Sequence, residues 1–197
     1  MKDILNISLV GVGGQGTLLA SEIICYAVLL AGKDVKKSEV HGMAQRGGSV
    51  ISQVRIGAKV YSPLIATGET DILVGFEKLE SLRYAHLLSS NGIALVNTQE
   101  IKPVTVSSGQ SEWPSDLDDR LRGAIRHLEL IPALDIAQQL GDIRVVNLVM
   151  LGSLSRHVEI GEQLWLQAIE QLVKPQFLDI NIQAFESGRS FDPQNAR

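Results

Sequence analysis

The 197-residue chain has one cysteine, six prolines and few aromatic residues, 5% of the total. A lone cysteine, Cys25, excludes a disulfide framework. It also excludes an iron–sulfur cluster or cysteine-rich zinc site held by this chain alone, because each takes several thiolates. Positive charge is not in excess: 18 Lys and Arg face 22 Asp and Glu, for a net charge of −4. That balance argues against a nucleic-acid binder held by bulk charge. Long apolar runs are missing too. The longest, 17–32, is interrupted by Ser21 and Glu22 and falls short of the roughly 20 apolar residues of a membrane span. The run that ends at Gly11 is too short and too interrupted for a signal peptide. These absences predict a soluble, cytoplasmic protein with no membrane and no nucleic-acid partner. What is present is globular: 45% of residues are hydrophobic, 20% are charged and 18 are glycine. This is enough for one domain over 1–197, and it is neither disordered nor coiled coil.

Residues 4–10 read as a buried first strand stopped by Gly11, and 14–31 as a helix that is apolar almost all round and stopped by Gly32. A second strand is predicted over 34–40. Residues 49–56 have strand composition, Gly57-Ala58 is a turn and 59–64 resumes, which predicts an inserted β-hairpin where a second crossover helix would be expected. Further strands are predicted at 71–76, 93–97 and 128–131, and helices at 77–89, 117–126, 133–140, 147–154 and 162–173. Residues 99–119, with Pro103 and Pro114, read as an irregular excursion. Residues 179–186 make a last amphipathic turn or two before a polar tail from about 188. The alternation predicts an α/β fold: a Rossmann-like three-layer sandwich with a mostly parallel sheet covered on both faces.

Two stretches carry candidate chemistry. Gly11-Val12-Gly13-Gly14-Gln15-Gly16 matches G-x-G-x-x-G between a strand and a helix. There glycines allow a tight turn and a helix N-terminus offers free N–H groups to an anion. A dinucleotide site would also need an acidic residue about 20 positions on. Glu39 is near that distance, but Lys36, Lys37 and His41-Gly42 surround it and no second crossover helix is evident. The loop therefore reads as anion-facing or partner-facing, or as a turn that only packs strand on helix, rather than as a nicotinamide site. In the second stretch, Lys33, Lys36, Lys37, Arg46, Arg55 and Lys59 are opposed only by Asp34 and Glu39. Within it Arg46 and Gly47-Gly48 could converge on phosphate or carboxylate, or form a solvated hairpin face.

The glycine loop, followed by Ser38-Glu39-Val40-His41-Gly42-Met43-Ala44-Gln45-Arg46-Gly47-Gly48-Ser49-Val50, resembles the small subunits of indolepyruvate:ferredoxin oxidoreductases. These correspond to the gamma subunit or domain of the wider 2-oxoacid:acceptor oxidoreductases, including the pyruvate and 2-oxoglutarate enzymes. The likeness runs nearly end to end, through Val54-Arg55-Ile56-Gly57, Tyr61-Ser62-Pro63-Leu64-Ile65, Asp71-Ile72-Leu73, Asn147 with Leu151-Gly152, and Asn181 with Ala184-Phe185 and Gly188. Residues 99–126 carry little of it. One departure is Gln53, where the indolepyruvate type is expected to carry His; it bears on substrate assignment.

The resemblance implies a subunit, inactive alone, of an enzyme that oxidatively decarboxylates an aryl- or other 2-oxoacid to acyl-CoA and reduces ferredoxin. Thiamine diphosphate, Mg2+ and [4Fe–4S] clusters would belong to a large partner subunit, and coenzyme A would be the co-substrate. This chain would bind no cofactor or metal itself and would help form the substrate and coenzyme A cavity. An isolated chain, with its partner face bare, is compatible with homodimerisation. The expected anion- or partner-facing residues are Gly13, Gly14, Gln15, Gly16, Thr17, His41, Arg46, Gly47 and Gly48, none of them catalytic. His41 is either a substrate or cofactor contact or a structural strand-end residue. Arg46 is either a bidentate clamp on carboxylate or phosphate or half of a subunit salt bridge, and Gln15 either donates to a ligand or packs. Cys25 reads as an inert small hydrophobe, Trp165 as core and Trp113 as an interface anchor. Glu112, Asp116, Asp118 and Asp119 read as helix-capping and solvated rather than metal-binding. The alternatives are a self-sufficient NAD(P)- or flavin-binding Rossmann oxidoreductase and a pure assembly module.

Overall fold

The computed structural model describes residues 3–41, 47–110 and 112–193, apart from the side chains of His41 and Val104. β1 (Ile4–Val12) is followed by α1 (Thr17–Leu30), β2 (Asp34–His41), β3 (Ser49–Gly57), β4 (Thr70–Gly75) and α2 (Lys78–Arg83). Then come β5 (Leu88–Asn97), α3 (Val104–Ser107), α4 (Leu117–Ala124), β6 (His127–Ile131), α5 (Ala133–Gln139), α6 (Val146–Ser155), α7 (Glu162–Leu172) and α8 (Leu178–Ser190).

The six strands form one sheet in the order β2-β3-β1-β4-β5-β6. β1, β4, β5 and β6 are parallel neighbours, while β3 runs antiparallel to both β1 and β2. All strands but β3 therefore share one direction. β1 is buried on both faces from Asn6 to Gly11, the mark of a central strand. β3 alternates buried and half-buried side chains up to its buried end at Gly57, because a helix covers one face and only an irregular strap the other.

Helices pack on both faces. The larger core joins Ile7 and Leu9 of β1 to α1, α6, α7 and α8 around Trp165 and Phe185; the smaller joins Val10, Leu73 and Val96 to Leu121 of α4. α6 is buried along its whole length. It meets α8 at glycines: a Cβ on Gly152 would sit 2.0 Å from the Phe185 carbonyl oxygen, and one on Gly188 1.9 Å from that of Val149.

Three local expectations change. The hairpin is made by β2 and β3, paired from Asp34↔Gly57 to His41↔Val50, not by 49–56 with 59–64. Residues 59–64 leave the sheet because Pro63 lacks a ladder donor and side chains of β3 capture their backbone. Arg55 Nη1 donates to the Ser62 carbonyl at 3.0 Å, and the Gln53 amide meets the Ile65 carbonyl and N–H at 3.5 and 3.3 Å. The helix expected over 77–89 ends at Arg83 and passes through a 3-10 turn, Ala85–Leu87. Leu88 starts β5 by pairing with Thr70. Finally, α8 runs to Ser190, past the expected end at 186, since Gly188 still packs on α6.

Candidate functional site at the glycine loop

β1 and β4 are parallel neighbours, and the connections that follow them leave on opposite faces. α1 joins the larger core, whereas Leu79 and Leu82 of α2 pack on the smaller. Beyond their carboxyl ends lies the switch-point crevice in which open α/β sheets bind ligands. Here the crevice is bridged by Gln15. Its Oε1 accepts from the Val12 N–H at 2.9 Å, and its Nε2 donates to the Phe76 carbonyl at 2.9 Å. Asn97 Nδ2 donates to the same carbonyl at 3.0 Å, and Gln99 Oε1 lies 3.4 Å from Gln15 Nε2 and 3.3 Å from Asn97 Nδ2. A Cβ on Gly11 would be 2.7 Å from Gln15 Oε1 and 2.9 Å from Phe76 Cβ, so Gly11 makes room for the bridge.

The two glycine-bearing stretches meet. Gly13 N–H donates to the Gly48 carbonyl at 2.8 Å, and Gly47 N–H to the Gly13 carbonyl at 3.3 Å. Gly14, at φ +107°, is exposed with open space around it. Gly16 caps α1 in the left-handed region at φ +78°, without a side-chain cap. Asn147 at the start of α6 lies against it, Nδ2 donating to the Gly16 carbonyl at 3.4 Å. Thr17 is buried and the first turn of α1 has no acidic side chain, so the orphan N–H groups of that turn have no carboxylate of their own. Of the remaining expected residues, His41 pairs through its backbone with Val50. Arg46 lies outside the described residues.

A cluster not read from the sequence anchors the Gly47-Gly48 segment from the α2 side. Ser49 Oγ donates to the Glu80 carboxylate and lies 3.1 Å from the Tyr84 hydroxyl; Arg83 Nε is 3.1 Å from Glu80. Glu77, fully buried, accepts from the Leu79 and Glu80 N–H groups to cap α2. Burial pushes its carboxyl pKa above the usual range, against the pull of those backbone donors. No local pattern marks this cluster, since Ser49 and Glu80 are 31 residues apart.

Other candidates are engaged internally. The Glu39 carboxylate lies 3.0 Å from Ser21 Oγ and 3.1 Å from Lys37 Nζ, which occupies the acid a dinucleotide ribose would need. Asp118 pairs with Lys78 at 2.7 Å and Asp116 with Arg120 at 2.8 Å. Burial raises the Cys25 thiol to about 11. Trp165 is fully buried; Trp113 is half-buried with Lys102 Nζ 6.0 Å from its ring centroid. Among the described residues no group of His, Cys, Asp and Glu could hold a metal ion, so their donor set does not fit an iron–sulfur cluster. No described helix is long and apolar enough to cross a membrane.

Comparison with known proteins agrees with this architecture. The family model described as pyruvate ferredoxin/flavodoxin oxidoreductase matches residues 6–191. The chain is 39% identical over 189 residues to an indolepyruvate oxidoreductase subunit IorB of Archaeoglobus fulgidus, covering 93% of each. It is 25% identical over 169 residues to the pyruvate/ketoisovalerate oxidoreductases common subunit gamma of Pyrococcus furiosus, covering 85% of this chain and 83% of that one. Among solved structures it is similar to the pyruvate oxidoreductase subunit PORC of Thermotoga maritima, with TM-score 0.72 and 27% identity over 95% of this chain and 96% of that one. It also shares the fold of part of a 2-oxoglutarate:ferredoxin oxidoreductase from Magnetococcus marinus, with TM-score 0.76 and 20% identity over 100% of this chain and 32% of that one. The chain belongs to the pyruvate ferredoxin/flavodoxin oxidoreductase family.

Proposed function

We propose that the chain is the small, gamma-type subunit of a 2-oxoacid:ferredoxin oxidoreductase of the indolepyruvate type, acting in the cytoplasm as one domain and inactive alone. The observation that carries this reading is the 39% identity to an indolepyruvate oxidoreductase subunit across 93% of both chains. The reaction is oxidative decarboxylation of an aryl- or related 2-oxoacid to an acyl-CoA with reduction of ferredoxin. A larger partner subunit holds thiamine diphosphate, Mg2+ and [4Fe–4S] clusters, and supplies the carbanion and electron-transfer chemistry. This chain contributes a surface. Gly13, Gly14 and Gly16, with His41, Arg46, Gly47 and Gly48, face the partner and an anionic group such as the coenzyme A phosphates, while Gln15 and the buried Thr17 hold the loop from within. The hydrogen bonds between Gly13 and Gly47-Gly48 support treating the two stretches as one surface.

A self-sufficient nicotinamide enzyme is disfavoured by the same geometry. Gln15 spans the switch-point crevice, Gly13 N–H is used by Gly48, and Glu39 is paired with Lys37.

An affinity pull-down of the chain from its native anaerobic extract tests the proposal. A brown large subunit should co-elute, with iron, thiamine diphosphate and aryl-pyruvate-dependent viologen reduction. A colourless chain eluting alone with bound nucleotide would overturn it.

A further inference from the structure

The two edges of the sheet differ. β6 has five residues; β2 has eight, contains no proline, and pairs with β3 without a register shift. No described segment pairs with its outer side. A long, regular edge strand is an open template that proteins normally shorten, bulge or cover. Around it stand three exposed large apolar side chains: Val40 on the strand, 61% exposed, and Tyr61 and Leu64 on the strap over the adjoining face, 88% and 64% exposed. Both features suit a surface that is covered in the working protein.

The charge pattern of β2 selects an occupant. In an antiparallel pair of identical strands, a two-fold axis perpendicular to the sheet keeps each face continuous only if the axis passes midway between the two copies of one residue. Centring on Lys37 or on Glu39 sets two like charges directly opposite each other, which destabilises a sheet. Centring on Ser38 sets Lys37 of each copy opposite Glu39 of the other, twice over. It also lays the Lys36 stem against the exposed Val40 of the second copy. Within one chain Lys37 Nζ and Glu39 Oε1 are already 3.1 Å apart and only 25% and 19% exposed, so the pairing would complete an alternating square of four charges at the edge. We infer that a second copy of this chain docks on β2 by antiparallel strand pairing centred on Ser38, joining two six-stranded sheets into one. The pairing uses no residue of the glycine loop; of the proposed partner-facing residues only His41, at the end of β2, lies on the paired strand.

A charge-swap experiment on the full chain, read by light scattering during gel filtration, tests it. The natural chain should elute as a dimer. Lys37→Glu and Glu39→Lys should each elute as monomers, because each places like charges opposite one another. An equimolar mixture of the two should recover a dimer, because only the mixed pair is complementary. Their effects on the contact inside one chain cannot produce that recovery. Should a charge reversal prevent folding, Ser38→Cys gives a second reading. The two residues 38 face each other with Cβ atoms about 4.5–5.5 Å apart, so mild oxidation should yield a covalent dimer, and Lys36→Cys should yield far less. A monomeric natural chain, a mixture that stays monomeric, or equal cross-linking at 36 and 38 would overturn the inference. The first of these would leave the edge to a strand of a different protein.

Discussion

The side chain of Gln15 donates to the main-chain carbonyl of Phe76 at 2.9 Å, across 61 residues of sequence. Its other amide atom accepts from Val12 at 2.9 Å, so one side chain ties the ends of β1 and β4. Gln15→Glu keeps the acceptor but replaces the donor with a carboxylate oxygen facing a carbonyl. It should lower stability by about 1–3 kcal/mol at neutral pH, because the half-buried carboxylate would face the Phe76 carbonyl and Gln99 Oε1 with no donor between them. Thermal unfolding checks this; an unchanged midpoint would contradict the bridge.

The α6–α8 contact gives a paired prediction. Gly152→Ala would put a Cβ 2.0 Å from the Phe185 carbonyl oxygen, and since both sides are backbone, neither can swing away. The expected loss is about 1–3 kcal/mol or more. Gly123 lies inside α4 with nothing within 4 Å of an added Cβ. Gly123→Ala should stabilise by about 0.4–1 kcal/mol, through helix propensity and a less flexible unfolded chain. Denaturant unfolding of both variants measures the contrast, and equal effects would be inconsistent with the glycine packing.

Glu129 supplies a pH dependence. His157 Nε2 lies 3.4 Å from its carboxylate and Arg156 Nη2 3.0 Å. The adjacent His157 ring, then Arg156, holds its carboxyl below the usual range against the opposing effect of burial. A carboxylate whose native pKa is depressed stabilises the fold above its unfolded pKa of about 4.3, and that contribution is lost as pH falls through the native value. Glu129→Gln should therefore be less stable than the natural chain at pH 7, by about 1 kcal/mol for a half-exposed pair. The difference should close below about pH 4. Urea midpoints across that range decide it; a constant difference would rule out the linkage.

Cys25 should be slow with thiol reagents. With its thiol raised to about 11 by burial, almost no thiolate exists at neutral pH, and the thiolate is the reactive form. Ellman's reagent should label the half-buried thiol far more slowly in the native chain than in the urea-unfolded one. Rapid labelling of the native protein would contradict the burial described.

The beginning of the fold is legible in the sequence because its signals are local. An apolar run, Gly11, then the positive-φ glycines Gly14 and Gly16 ahead of a breaker-free helix leave little choice of structure. The hairpin is harder. Val60 and Tyr61 look like strand residues, and what removes them from the sheet is the grip of Arg55, Gln53 and Asp34 on the strap backbone, with Val60 N–H donating to Asp34 at 2.8 Å. Leu87 and Leu88 continue a helical apolar pattern, yet Leu88 is claimed by the ladder to Thr70, a long-range pairing that periodicity does not encode. At the candidate site the glycines are legible as a motif. That Gln15 would spend both amide atoms on the protein depends on where Phe76 lies in space.

The central claim is that the chain works as a surface on a catalytic partner. Its most direct test is anaerobic reconstitution: titrating the purified chain into its large subunit and following coenzyme A-dependent reduction of a viologen dye by an aryl-pyruvate. The account predicts no turnover from the chain alone, and activity that rises with added chain to a plateau. Activity of the large subunit that is complete without the chain, or turnover by the chain alone with a nicotinamide cofactor, would contradict it.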